Sequence, residues 1–340
     1  MTDTSLSNPV AARPRTSILA IARRSGLFVL LAAMILGFWL AEPAFINVNN
    51  LFSILQAVAV VAILGVGVTM TLAVGGFDLS IGSIAASAVM AASYAMVVWQ
   101  FDAYATIPTV LLVGTFIGLI NGLLIVRVGI PDLLATLSTM FLLAGLQLIP
   151  TGGRSITAGM IMPSGETAPG AYDPAFLPLG RARLWDVVPL PVVIMAVVAV
   201  VFWFLMERTR WGRVFYAIGG NETAAHLAGA PTRRYRLVTY ALSGTLAALG
   251  GLIIAARVGR GDVSSGASLL LDSVAAALIG FAVLDARRPN VLGTVVGAIV
   301  VGILLNGLTM LNAPYYTQDF VKGAVLVGAL ALTFGLGKRG

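Results

Sequence analysis

Two short stretches of the chain match one another residue by residue, and this match decides the fold. Gly75–Gly82 reads GGFDLSIG and Gly259–Gly266 reads GRGDVSSG. Aligned without a gap at an offset of 184 residues, they share two glycines, an aspartate and a serine: Gly75/Gly259, Asp78/Asp262, Ser80/Ser264 and Gly82/Gly266. Each stretch lies between two long apolar runs. Paired, glycine-containing breaks in two halves of a membrane protein indicate a transport pathway.

The composition is that of a membrane protein. Hydrophobic residues make up 59% of the chain and charged residues 10%, against about 25% charged residues in soluble domains. The apolar runs are about 20 residues long, the length of a membrane-spanning helix, whereas barrel strands are about half as long and alternate in polarity. The fold class is therefore an all-α integral membrane protein. The chain contains no cysteine and only one histidine, so we expect neither a metal site nor catalytic residues.

Ten apolar spans can be placed along the chain, and two connectors stand out. Residues 1–25 form a predicted cytoplasmic tail, 26–336 a transmembrane domain and 337–340 a second tail. A signal peptide is the alternative for the first apolar run, but no small-x-small cleavage site follows it. The spans are 26–42, 51–73, 80–100, 106–126, 131–149, 187–206, 237–257, 268–284, 290–312 and 318–336. The long connectors are a Gly- and Pro-rich external loop, 151–186, and a basic cytoplasmic segment, 207–236.

The basic residues orient these spans. With both termini in the cytoplasm, 15 of the 21 Lys and Arg residues fall on the cytoplasmic side and five outside, as the positive-inside rule requires. The net charge of +7 thus comes from residues that flank membrane spans, and it does not indicate nucleic-acid binding.

The matched stretches belong to a longer repeat. Adding 184 to spans two to five places them almost on spans seven to ten, and Asn121-Gly122-Leu123 matches Asn306-Gly307-Leu308 at an offset of 185. Five spans separate the two copies, so they would cross the membrane in opposite directions, which is an inverted-topology repeat. Chance similarity between apolar helices is the alternative, because Gly, Ser, Leu and Val are abundant.

A carboxylate between glycines at a span junction is the main candidate for a functional site. Burying such a group at the bilayer centre costs about 2.5–3.5 kcal/mol. We expect the glycines to break the helix and Asp78 and Ser80 to cap the next one, leaving a polar, hydrated cavity. The alternative is a simple capped turn at the membrane surface. The predicted pathway and gating residues are Gly75, Gly76, Asp78, Ser80, Gly82, Asn121, Asp262, Ser264 and Asn306.

Three charged residues fall within or beside the last spans. Asp319 and Lys322 are three residues apart and could pair on one helix face, and Asp272 lies in span eight. We expect these charges to pair between helices and fix the packing. A proton relay is the alternative.

The basic connector contains the sequence YAIGGNETAAHLAGAP, Tyr216–Pro231. Asn221 can cap a short helix with Glu222 in its first turn, and Gly229 can end it. A helix this short is marginal in water by itself, so it must dock on lipid headgroups or on a partner protein. The chain contains no GxxxxGK[ST] phosphate loop, so no nucleotide-binding site of its own is expected.

GGFDLSIG after span two, together with YAIGGN and the short helix that follows it, resembles the permease subunits of bacterial ATP-driven (ABC) monosaccharide importers of the ribose, xylose, arabinose and autoinducer-2 class. The resemblance covers about residues 45–336. It implies two permease subunits, identical or different, in the inner membrane, an ATPase dimer that binds ATP and Mg²⁺, and an extracytoplasmic sugar-binding protein. No cofactor would bind to this chain. The implied ATPase-coupling residues are Gly219, Gly220, Asn221, Glu222, Ala224, Ala225 and Gly229.

The chain departs from the family between Gly280 and Asn290. There it reads GFAVLDARRPN, where members of the family carry a glycine-rich turn, and Asp285, Arg287 and Arg288 replace most of the glycines. The particular solute therefore stays open. The alternatives are an ABC importer of branched-chain amino acids or nucleosides, a proton-coupled secondary transporter and a passive channel.

Overall fold

The structure, a computed structural model, describes residues 18–283 and 288–335. The predicted tails lie wholly or partly outside these residues, as do Asp285 and Arg287. The regular structure of the described chain is helical apart from one small hairpin, with β1 (Arg183–Leu184) antiparallel to β2 (Val188–Pro189), and two isolated β-bridges. The helices are α1 (Ile18–Ala41), α2 (Val48–Ala73), α3 (Ile81–Val97), α4 (Ala103–Leu123), α5 (Asp132–Leu146), α6 (Pro178–Arg181), α7 (Leu190–Arg208), α8 (Arg210–Gly220), α9 (Glu222–Leu227), α10 (Thr232–Val258), α11 (Ala267–Val283), α12 (Val291–Met310) and α13 (Tyr315–Gly335).

Each of the ten predicted spans coincides with one helix of the described chain. Among the described residues, six continuous helical stretches are long and apolar enough to cross a membrane: α2, α4 with its continuation to Val128, α5 with its continuation to Thr151, α7, α10 and α12. Shorter apolar helical stretches occur in α1, α3 and α11, and α13 has 21 residues. The prediction of an all-α integral membrane protein is therefore confirmed.

Polar side chains at the connections begin several of these helices. Asn47, Asp102 and Asn290 cap α2, α4 and α12, each accepting a hydrogen bond from a first-turn backbone N–H. Such a cap satisfies a donor that has no partner within its own helix. The helix boundaries thus follow local sequence signals, and the apolar faces decide how the helices pack.

The bundle has two ends that can be told apart by the segments packed there. At the loop end lies the segment 147–189, whose Gly180 carbonyl accepts a hydrogen bond from Gln56 near the start of α2. At the connector end lie α8 and α9, and Gly219 of α8 packs against the end of α2 at Gly75. α10 runs the other way, because Arg181 at the loop end binds the carbonyls of Arg257 and Val258. α2 and α10, the helices that precede the two matched stretches, therefore run in opposite directions, as an inverted repeat requires.

α3 and α11 begin inside the bundle and not at its ends. α3 has 17 residues, against 26 in α2, and so is shorter by about 13 Å at about 1.5 Å per residue, and α11 begins at Ala267, directly after the second matched stretch. Their first turns meet at the last glycines of the matched stretches. A Cβ atom on Gly82 would lie 3.0 Å from the Gly266 carbonyl oxygen, and one on Gly266 would lie 2.8 Å from the Gly82 carbonyl oxygen. Only glycine permits this approach of the two backbones.

The core is built around α10, which packs against α2, α3 and α4. Its Gly244 lies against Gly114 and Gly118 of α4, so the two backbones approach closely, as small residues allow in membrane helices. This arrangement brings the polar side chains of α10 and α4 next to the loop that follows α2.

Candidate functional site

The loop after α2 turns sharply and packs against charged and aromatic side chains. Gly75 has φ +75°, in the left-handed region that glycine adopts without strain. At Gly76, a Cβ atom would lie 2.5 Å from Tyr240 Oη and 2.6 Å from Asp132 Oδ2. A larger residue at position 76 would therefore displace both side chains. Tyr240 Oη is buried without a hydrogen-bond partner among the described residues.

Asp78 is fully buried and organises a hydrogen-bond network. Its Oδ1 atom accepts from the Ser80 backbone N–H at 2.9 Å and from the Ser80 hydroxyl at 2.6 Å. Its Oδ2 atom accepts from the Ser243 hydroxyl of α10 at 2.7 Å. Charge-assisted hydrogen bonds of this kind compensate part of the cost of removing a carboxylate from water.

The network continues into two more helices. Asn121 of α4 donates to Ser80 Oγ at 2.8 Å, and its carbonyl oxygen accepts from Thr139 of α5 at 2.6 Å. The loop, α4, α5 and α10 are thus joined through Asp78. The expectation that the Ser80 side chain caps α3 is wrong, because Ser80 makes no side-chain cap bond and its hydroxyl hydrogen is directed to Asp78.

The second matched stretch repeats the local geometry in a different environment. Asp262 Oδ1 accepts from the Ser264 N–H at 3.0 Å and from its hydroxyl at 2.8 Å, and Gly259 has φ +73°. However, Asp262 Oδ2 binds the exposed Arg260 at 3.0 Å. This loop lies at the loop end, where Gly261 forms a β-bridge with Ile156.

The structure therefore brings only part of the predicted pathway set together. Asp78, Ser80 and Asn121 share one network, and Asp262 and Ser264 lie apart from it. Asn306 makes a reciprocal amide pair with Asn50 of α2, with both N–O distances 3.0 Å. Its match to Asn121 in sequence thus does not extend to its partners.

The short helix of the basic connector forms as its sequence predicts. Asn221 caps α9 by accepting from the Ala224 N–H at 2.9 Å, and Gly229 follows the helix with φ +87°. Ala225 is buried against the same chain, whereas Leu227 is 82% exposed. Gly219 packs on the end of α2, and Gly220 has open space around it. The face of α9 that carries Leu227 is therefore the one open to a partner.

Two successive ion pairs connect α9 to the loop after α2. Arg236 at the start of α10 binds Glu222 of α9 at 3.0 Å. The same guanidinium holds both carboxylate oxygens of Asp132, at 2.7 and 2.9 Å, and Asp132 lies beside Gly76. Both Asp132 contacts come from the Nη2 atom of Arg236, while Nη1 binds Glu222, so one guanidinium joins the two carboxylates.

Sequence reasoning missed several residues of these networks. Arg236 is one of several arginines in the basic segment 207–236, and Asp132 could have been noticed as an acidic residue in the first turn of α5. Ser243 and Thr139 carry no local sequence signal. The predicted pairing of the membrane charges is present, since Lys322 binds Asp272 at 3.0 Å and Asp319 at 3.3 Å.

Apolar helices in two opposed halves, with buried polar networks where they meet, define a membrane transport subunit. Residues 50–330 match the family described as branched-chain amino acid transport system / permease component, and the chain belongs to this family. It is 34% identical to the ribose import permease protein RbsC of Haemophilus influenzae, over 92% of this chain and 93% of that protein.

Two further relatives cover similar lengths. The galactose/methyl galactoside import permease protein MglC of Escherichia coli is 31% identical, over 95% of this chain and 97% of that protein. The xylose transport system permease protein XylH of H. influenzae is 28% identical, over 89% of this chain and 94% of that protein. No solved structure matches the chain significantly.

Proposed function

We propose that the chain is a pore-forming subunit of an ATP-driven importer that carries a monosaccharide across the bacterial inner membrane. A second permease subunit would complete the pore, an ATPase dimer would bind ATP and Mg²⁺ in the cytoplasm, and an extracytoplasmic binding protein would deliver the sugar. This chain would bind no nucleotide itself. The relatives named for ribose, galactose and xylose support the substrate class.

The connector end is assigned to the cytoplasm in this proposal, with both termini on the same side. The excess of Arg and Lys in 207–236 supports this orientation, since basic residues are retained in cytoplasmic loops. The segment 147–189 would then face the binding protein. Family membership by itself also allows an amino acid as solute, but the named relatives at 28–34% identity over about nine-tenths of the chain favour a sugar.

The observation that carries the proposal is the continuous contact from α9 to Asp78. A displacement of α9 acts on Glu222 and then on Arg236, and the Asp132 carboxylate held by Arg236 lies against the Gly76 backbone. Two residues later, Asp78 joins three helices. Movement imposed by a partner on the exposed face of α9 would therefore reach the buried network, where the helices of the pathway separate or close.

Leu227→Asp tests the docking of the ATPase on this face. Leu227 is 82% exposed, so the change leaves the fold intact while placing a charge in an apolar contact, and we expect copurification with the ATPase to be lost. Trp185→Asp is the matched control, because Trp185 is 86% exposed at the loop end. Normal copurification of Leu227→Asp would refute the docking face. Uptake by the purified chain alone, or uptake abolished by a protonophore, would refute the ATP-driven class.

A further inference from the structure

A cavity of about 300 Å³ opens in the loop-end half of the bundle, between α2, α10, α11 and α12. Most of its wall is aliphatic, with Ile54, Val58 and Val61 on the α2 side. Four polar side chains interrupt this wall: Arg257, Asp272, Asn306 and Thr309. The volume is at the lower end of the range for small-molecule sites, about 300–1,000 Å³, which limits an occupant to roughly the size of one sugar ring.

Two of these polar side chains, Asn306 and Thr309, are held in place by hydrogen bonds. Asn306 is fixed by its reciprocal pair with Asn50, whose own amide also donates to the Phe45 carbonyl at 2.8 Å. The Thr309 hydroxyl donates to the Leu305 carbonyl at 2.7 Å and keeps its lone pairs for another donor. Side chains positioned in advance lose little freedom when a solute arrives.

The charges around the cavity balance. Asp272 is paired with Lys322, which also contacts Asp319, and Arg257 contributes a guanidinium at the wall. Ionisable groups within membrane spans face cavities or each other and mark the routes of solutes. Because the Asp272 carboxylate is already engaged by Lys322, the wall offers no free anion for the ammonium group of an amino acid.

We propose that this cavity is a transient binding site for an uncharged, polyhydroxylated solute of monosaccharide size, entered from the loop end. The inference rests on the proposed import function and adds to it the place where the solute is held. Sugar hydroxyls donate and accept, which suits a wall of amide, hydroxyl, carboxylate and guanidinium groups. The aliphatic remainder contacts the C–H surfaces of the ring and keeps binding weak, as onward movement requires.

Cysteine protection tests this site directly, because the chain contains no cysteine. In the assembled importer, Thr309→Cys should react with a membrane-impermeant maleimide from the loop-end side, and D-ribose at tens of millimolar should slow that reaction at least threefold. Ser164→Cys is the control, since Ser164 is exposed in the segment 147–189 at the loop end and should react at the same rate with and without ribose. Absence of labelling at position 309, or equal labelling with and without ribose, would overturn the inference. Protection by L-leucine in place of ribose would also overturn it.

Transport stoichiometry supplies the second measurement. Asn306→Leu breaks the amide pair with Asn50 and removes a polar group from the cavity wall, whereas Asn49→Leu changes an exposed side chain of α2 outside that wall. In vesicles containing the permease, ATPase and binding protein, Asn306→Leu should lower ribose uptake per ATP hydrolysed about three- to tenfold, the effect of one lost hydrogen bond. Asn49→Leu should leave the ratio unchanged, and equal losses in Asn306→Leu and Asn49→Leu would refute the site. If wild-type vesicles take up no sugar, the proposed function fails, whereas normal wild-type uptake without protection at position 309 refutes only the cavity site.

Discussion

The contact between Asp132 and Arg236 gives the sharpest test of the route from α9 to Asp78. Asp132→Asn removes the charge of the carboxylate and leaves the shape of the side chain almost unchanged. Arg236 then retains only Glu222, at 3.0 Å. The variant therefore removes the ion pair beside the Gly76 loop and leaves the ion pair between Arg236 and α9 in place.

The expected loss of stability follows from the burial of the pair. The side chains of Arg236 and Asp132 are 17% and 15% exposed, with a shortest N–O distance of 2.7 Å. Removing one partner of a fully buried pair costs about 3–5 kcal/mol. The remaining exposure and the second partner, Glu222, reduce this, so we expect a loss of about 2 kcal/mol in the free energy of unfolding.

Two assays read out this variant. Thermal unfolding of the solubilised permease should show the loss of stability, and vesicles containing the whole importer should hydrolyse ATP while sugar uptake per ATP falls. Glu207→Gln is the control, because the Arg288–Glu207 pair, at 2.9 Å, has side chains 53% and 27% exposed and should contribute less than about 1 kcal/mol. The reasoning is refuted if Asp132→Asn leaves both unfolding and uptake per ATP unchanged, or if Glu207→Gln has the same effect on both.

Three further variants test separate features. Asn221→Ala should destabilise α9 by about 1 kcal/mol through loss of its cap, seen as weaker copurification with the ATPase. Gly82→Ala should cost about 2 kcal/mol in unfolding measurements, because its Cβ would lie 2.9 Å from Leu270 Cβ and force a shift of the backbone. Hydrogen bonds from the Ala175 and Ala103 N–H groups hold the pKa of Asp173 below its ordinary value. Asp173 therefore stabilises the loop above its unfolded-state pKa, and this stabilisation is lost as pH falls through its lowered folded-state pKa. Proteolysis of 151–189 should accordingly increase below about pH 4.

Each of these has its own control. Asn221→Gly should lose only a few tenths of a kcal/mol, since glycine also serves at this position, and a loss as large as that of Asn221→Ala would contradict the capping role. Gly145→Ala meets open space, so any destabilisation as large as that of Gly82→Ala would contradict the close-approach argument. In Asp173→Asn the acid-induced step should disappear, and its persistence would assign the step to another group.

The helices and the positions of the two loops were predictable from the sequence because their signals are local. Apolar length determines a span, and the pair of glycine-flanked aspartates marks each break. The cap at Asn221 is equally local, since the side chain bonds a backbone N–H three residues later. Each of these features depends on neighbours in the sequence, so one chain suffices to find it.

The partners of the site could not be predicted, because they depend on how whole helices are rotated and packed. Asp78 and Ser243 are 165 residues apart, and Asp132 and Arg236 are 104 apart. Serine is common in this chain, and nothing near Ser243 distinguishes it from serines that face lipid. The sequence match also concealed an asymmetry: Asp78 and Asp262 form the same local turn, but only the packing of α10 and α4 buries the first one.

The meeting of Gly82 and Gly266 has an electrostatic consequence. Two helix N-termini converge at this point, and each carries the equivalent of about half a positive charge. No Lys or Arg of the described chain lies within ion-pair distance of Asp78, which sits just before the first turn of α3. The Ser80 N–H that donates to Asp78 belongs to the turn that starts α3, so the positive end of α3 offsets part of the cost of burying this carboxyl group. Because Gly82 in the first turn of α3 lies against Gly266, a movement of α11 away from α3 would change the surroundings of Asp78.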